Sequence, residues 1–136
     1  MEDTSEVGCL LKVCQGAKGS GQLTGSQLSR LYNVFGSRFN KAWETLNEGR
    51  VKKYMFKPSH KIIWIVVGKE RDYLIMPEVG FCSCDDYYFR VMDKKVHLCY
   101  HLIAQKIAEA LNWYELIEDY DELYNTLMEE WRRVTP

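Results

Sequence analysis

The chain has 136 residues, 46% of them apolar and 13% aromatic, which suits one domain with its own core and excludes a disordered segment. No apolar run approaches the roughly 20 residues of a membrane-spanning helix, and the opening MEDTSEVGCLLKVC is acidic where a secretion signal is basic, so an intracellular protein without a membrane anchor is expected. The formal charge of −1 hides blocks: residues 49–111 carry eleven basic and seven acidic side chains, residues 112–136 two basic and seven acidic, which suggests separate surfaces or one face answering the other.

EVGCLLKVC predicts a short first helix, and QGAKGSGQLTG, with four glycines in residues 16–25, predicts a connector. Residues 1–25 are therefore set apart from a single domain over 26–136. From Ser26, Leu28, Leu31, Val34 and Phe35 recur at helical spacing. Ser37 is placed to cap a second helix, ending near Gly49, with Phe39, Trp43 and Leu46 as its buried stripe. VKKYMF, IIWIVV and DYLIMP are rich in β-branched and aromatic residues, and KPSHK and GKERD supply turns between them. A small antiparallel meander is expected, with Ile62–Val67 as its central strand. LCYHLIAQKIAEAL then predicts a helix buried through Ile103, Ile107 and Leu111. Asp119 and Glu122 have the spacing of a capping box for a last helix carrying Leu123, Leu127 and Trp131. The fold class is α+β.

CSCDDYYFRVMDKKVHLCYH, residues 82–101, concentrates three of the five cysteines and two of the three histidines. A secreted disulfide framework is usually even-numbered and dispersed. Inert packing thiols explain Cys9 and Cys14, which stand apart, better than they explain this cluster. Cys82 and Cys84 flank one residue, Cys99 and His101 flank another, and fourteen residues separate the pairs. Structural Zn²⁺ takes four ligands in a tetrahedron, Cys₃His being a common set. His97 competes with His101, since HLCYH is symmetrical about Cys99. His101 is tied to the helix and His97 lies on the loop side, where a supporting or surface role suits it. Three thiolates and one Zn²⁺ leave about −1 on the site, which Arg90, Lys94 and Lys95 are placed to offset.

The C-x-C…C-x-H pattern resembles the SWIM-type zinc finger, as do the hydrophobic strand before it and the helix CYHLIAQKIA after it. The finger core would span about residues 62–111. The chain also resembles the small SWIM-domain subunits of Shu-type homologous-recombination complexes, through its size and the upstream LYNVFGSRFNKAW with Phe35-Gly36-Ser37. This likeness implies one structural zinc on Cys82, Cys84, Cys99 and His101. It further implies a RecA/RadA-class recombinase or paralog as partner, and assistance to filament assembly on single-stranded DNA. It differs from many members in Tyr100, where they carry a basic residue able to meet a phosphate.

Four ligands close the zinc shell, whereas a catalytic zinc keeps an open position, so no enzymatic activity is expected. Asp85, Asp86 and Glu109 are the carboxylates near enough in sequence to act as a base, and a hydrolase reading would need His101 to point away. Docking faces are expected around Leu28, Tyr32, Phe35 and Trp131, most of which should prove to be core. The alternative to a partner-dependent protein is direct single-strand binding. Arg50, Lys52, Lys53, Lys57 and Lys61, interleaved with Tyr54 and Phe56, supply cations and rings for it, extended by Arg90, Lys94 and Lys95. Strand alternation divides these cations between two faces, and a pI near 6.3 is low for an independent nucleic-acid binder. The expected location is the cytoplasm or nucleoid of a prokaryote, or the nucleus of a eukaryote.

Overall fold

A computed structural model of the chain describes residues 6–84 and 98–132. Helices α1 (Glu6–Ala17), α2 (Gly25–Phe35) and α3 (Ser37–Asn47) lead into strands β1 (Val51–Lys57), β2 (Lys61–Val67), β3 (Asp72–Met76) and β4 (Phe81–Cys82). Helix α4 (Tyr100–Leu111), strand β5 (Glu115–Tyr120) and helix α5 (Tyr124–Trp131) follow. The class is α+β.

The helical starts differ from the expectation in instructive ways. Helix α2 begins at Gly25 behind a complete capping box: Thr24 Oγ1 accepts the Gln27 N–H at 3.1 Å, and Gln27 Oε1 accepts the Thr24 N–H at 2.8 Å. The T-x-x-Q spacing was legible inside the stretch read as connector. Ser37 does not cap α3. Gly36, at φ 60°, takes the N-cap without a side-chain bond, and Ser37 is the first helical residue. A backbone conformation open to glycine reverses the chain there.

The sheet runs β4-β3-β2-β1-β5. The first four strands form the antiparallel meander, with β2 central as expected. Ile63 and Ile65 pack on one face, Trp64 and Val66 on the other, so β2 is buried on both sides. The fifth strand is a correction. ELIEDY pairs parallel to β1, and Asp119 lies within it rather than capping a helix. Its Asp and Glu content argues against a strand by propensity. Charge pairing across the sheet overrides this: Lys52 Nζ meets Glu115 Oε1 at 2.7 Å, and Lys57 pairs with Glu118. Asp121 instead receives the N–H and hydroxyl of Ser59 at 3.1 and 2.7 Å, and α5 starts after a 3-10 turn with no side-chain cap.

Two apolar layers sandwich the sheet. On one face α1–α3 and α4 enclose Leu31, Phe39, Trp64, Ile75, Ile103 and Ile107. Helix α1, which the sequence reading set apart with residues 1–25, enters this same core through Leu10, Val13 and Ala17. On the other face α5 closes a smaller cluster of Phe56, Ile63, Ile65, Leu74, Met128 and Trp131. Phe56 is wholly buried there, edge-on to Tyr124 at 5.2 Å. Phe56→Ala should therefore cost about 3–5 kcal/mol, seen as a lower urea midpoint at unchanged slope. Tyr120→Ala, at a side chain 68% exposed, should stay within about 0.5 kcal/mol of the parent.

Candidate metal centre

The first ligand pair is aimed by a short, well-anchored edge. After the 3-10 turn Pro77–Val79, Gly80 adopts φ 65°, a left-handed position natural to glycine, and turns the chain into β4. Cys82 then pairs with Ile75. Ser83, between the two cysteines, is 1% exposed. Its N–H donates to Leu74 O at 3.0 Å, its hydroxyl accepts the Leu74 N–H at 2.9 Å, and its carbonyl accepts from Arg71 at 3.0 Å. These bonds fix the C-x-C turn, so both sulfurs are set by backbone geometry.

The second pair belongs to the start of α4. Cys99 is the extended N-cap (φ −81°, ψ 167°), and His101 sits in the first turn. The partial positive charge of a helix N-terminus favours thiolate at that position. The approach to Cys99 is clamped from a distance. Arg38 on α3 donates to Leu98 O at 2.7 Å and forms a bidentate pair with Glu6 on α1. Sequence spacing carries no signal for Arg38, which lies 60 residues from Leu98. A small hydroxyl residue between two ligands was visible in CSC, but its role depends on β3.

The four ligand atoms of Cys82, Cys84, Cys99 and His101 all lie within 4.8 Å of one another, and all four residues are buried. A tetrahedral Zn²⁺ with Zn–S near 2.3 Å and Zn–N near 2.0 Å holds its ligand atoms about 3.5–3.8 Å apart, so a small contraction completes the shell. The donor chemistry also fits. Among the described residues, both ring nitrogens of His101 are buried without a hydrogen-bond partner, an arrangement that is costly unless something else engages a lone pair. The Tyr73 ring (4.3 Å) and the Tyr100 ring (3.9 Å) hold the imidazole in place. Burial pushes the Cys82 thiol well up, with hydrogen bonding to Cys84 and Cys99 acting in the same direction. Hydrogen bonds from Cys82, and then Cys99, hold Cys84 well down. One buried thiolate can be carried by its two neighbours; three need a cation.

His101 joins the cluster; His97 lies outside the described residues, as do Arg90, Lys94, Lys95, Asp85 and Asp86. Glu109 is exposed and accepts from Gln105, apart from the tetrad. The proposed nucleic-acid residues on and beside β1 are dispersed and engaged. Lys52 and Lys57 meet the carboxylates of β5. Lys53 lies over Trp64 and Tyr114 at 5.4 and 5.3 Å, and Lys61 over Tyr124 at 4.2 Å. Arg50 contacts Glu48 at 2.9 Å and Thr45 Oγ1 at 3.2 Å. Of the expected docking residues, Phe35 and Trp131 are core, Leu28 packs against the core, and Tyr32 is 52% exposed.

No family model matches the chain. Two relatives cover most of it: the zinc finger SWIM domain-containing protein 7 homolog of Dictyostelium discoideum, 25% identical over 86% of this chain and 76% of the relative, and zinc finger SWIM domain-containing protein 7 of Mus musculus, 27% identical over 92% and 84%. Over most of its length the chain is thus similar to SWIM-type zinc-finger proteins. An uncharacterized protein of Archaeoglobus fulgidus is 37% identical over 63% of this chain and 66% of its own length. The tetrad is the seat of the finger's single structural zinc, which ties β4 to α4.

Among the described residues, no helix is long and apolar enough to cross a membrane.

Structural zinc contributes about 10–16 kcal/mol of apparent binding free energy, against about 5–15 kcal/mol for a whole domain. Chelation or Cys82→Ser is therefore expected to unfold at least the part after Gly80. Elemental analysis should give one zinc per chain, and an unchanged melting curve after verified metal removal would refute this.

Cys14 behaves differently. Burial, opposed by Lys106 and assisted by Glu109, pushes its thiol up to about 11, and its sulfur lies 3.7 Å from Lys106 O. Its folded value exceeds the unfolded one, so its contribution to stability is complete below pH 9 and is lost as pH rises toward 11. At pH 8.5 it should alkylate roughly a hundredfold more slowly than a free cysteine, with the rate climbing toward pH 11 in an iodoacetamide mass assay.

Proposed function

We propose that the protein is a non-catalytic accessory subunit of homologous recombination and DNA repair. It works by binding a RecA/RadA-class recombinase or paralog and assisting filament assembly on single-stranded DNA. The observation that carries the non-catalytic part is the closed tetrad: four buried protein ligands fill the positions of a tetrahedral zinc and leave none for a reacting water. Bound there, the metal supplies cross-linking charge, and the surrounding side chains orient its ligands. The recombination role is supported by the likeness to Shu-type subunits in the finger pattern and in Phe35-Gly36-Ser37.

A partner-dependent role also accords with the charges. The β1 cations are held by carboxylates and ring faces, so this strand offers few free phosphate contacts. One cleft favours a direct DNA contribution. It has a volume of about 390 Å³ and is lined by Lys41, Arg50, Lys69, Tyr73 and Tyr100, with Glu44 and Glu70. Lys41 Nζ stands 5.9 Å over the Tyr100 ring, bringing a cation to the position where many SWIM members carry one in sequence. Two carboxylates in the same cleft temper its attraction for phosphate.

Purification of the tagged chain from its native cells is expected to bring a RecA-class protein with it. The isolated zinc-loaded chain is expected to bind single-stranded DNA weakly, with log affinity falling by about 0.7 per phosphate contact for each unit of log salt. Avid binding by the isolated chain at physiological salt would favour direct single-strand recognition instead.

A further inference from the structure

The outer edge of the sheet at β5 combines features that the zinc site does not use. Among the described residues β5 pairs with β1 alone, so one row of its N–H and C=O groups has no strand beside it. The Tyr120 N–H is taken by Asp119 Oδ1 at 2.9 Å, which closes the open row at that end. An exposed edge of this kind is a template for another strand.

Its side chains are apolar where solvent would favour polar groups. The register places Leu116, Glu118 and Tyr120 on the same face as Met55 and Ile62, beyond the part of that face covered by the helices. Leu116 is 50% exposed, Tyr120 68% and Ile62 41%, and Leu123 in the following turn is 45% exposed. Three of the eight exposed large apolar side chains among the described residues, Leu116, Tyr120 and Leu123, thus lie on this strand or just after it, and Ile62 lies two strands in on the same face.

Charge narrows the occupant. ELIEDYDEL, residues 115–123, contains five carboxylates and no base. Lys52 and Lys57 answer Glu115 and Glu118 from the β1 side, and Asp121 is engaged by Ser59, which among the described residues leaves Asp119 and Glu122 without a cation. Nucleic-acid phosphates are repelled by this edge, and two copies of β5 laid side by side would oppose acid to acid. A foreign strand bearing Lys or Arg satisfies both its charge and its open backbone.

We propose that β5 is a docking edge for an extended segment of a partner protein in which basic residues alternate with apolar ones. The segment adds a sixth strand beside Glu115–Asp119, its apolar side chains covering Leu116 and Tyr120. This deepens the partner-dependent function above and rests on it only in assuming a protein partner.

The test uses the full zinc-loaded chain and two nonapeptides, one alternating lysine with valine and one alternating glutamate with valine, read by amide hydrogen exchange. At about ten times its Kd the basic peptide should slow exchange in Glu115–Asp119 about tenfold, and the acidic peptide should not. Leu116→Ser with Tyr120→Ser, which alters only exposed side chains, should abolish the protection while keeping the parent's melting temperature. Protection elsewhere, equal protection by both peptides, no protection, or self-association of the chain through this edge would overturn the proposal. A recombinase that binds the double variant as tightly as the parent would overturn the edge while leaving the partnership standing. Peptide protection at β5 with no recombinase bound would uphold the edge while the recombination role fails.

Discussion

Three sulfurs and one imidazole brought together in an apolar interior form the constraint on which the finger depends. Desolvated thiolates repel one another, and each loses the water that stabilised its charge. A divalent cation reverses both penalties at once, converting mutual repulsion into four shared bonds. The consequence is architectural: β4, only two residues long, has little pairing of its own, yet it is held against the N-terminus of α4.

Helix α4 transmits that constraint to the rest of the molecule. It is buried on almost every side, through Leu102, Ile103, Ala104, Ile107, Ala108 and Leu111, and it packs against α1, α3 and the sheet. Fixing its first turn therefore fixes the layer that encloses one face of the sheet. Arg38 and Ser83 serve the same end from opposite sides. The guanidinium ties two N-terminal helices to the chain entering Cys99, and the serine locks the first ligand pair onto β3. The ligands are thus positioned by three layers of structure.

The two ends of the sheet are treated differently. At the β4 end, bonding to a metal and to α4 confines a short strand. At the β5 end, a six-residue parallel ladder with β1 is accompanied by lysine–carboxylate contacts, and the strand keeps an acidic, partly apolar outer margin. A cationic stretch that reads as a nucleic-acid track when β1 is taken alone becomes, in three dimensions, the counter-charge of an acidic strand more than fifty residues later. Two ion pairs, Lys52–Glu115 and Lys57–Glu118, thus join the basic middle to the acidic tail across β1 and β5.

The sequence by itself determined the elements whose signals are local. The C-x-C and C-x-H pairs, the helix that follows them, the meander and its central strand, buried on both faces from Ile63 to Val66, were all legible, because ligand chemistry and side-chain periodicity act over a few residues. Phe35 and Trp131 were legible as apolar, but not as core rather than contact surface. Only the tertiary structure decided that ELIEDY is a strand, that residues 6–17 share the main core, that Asp121 holds Ser59, and that Arg38 braces Cys99. Each of these joins groups distant in the chain, and the free energy that settles them comes from burial and charge pairing, which exist only once the chain has closed on itself.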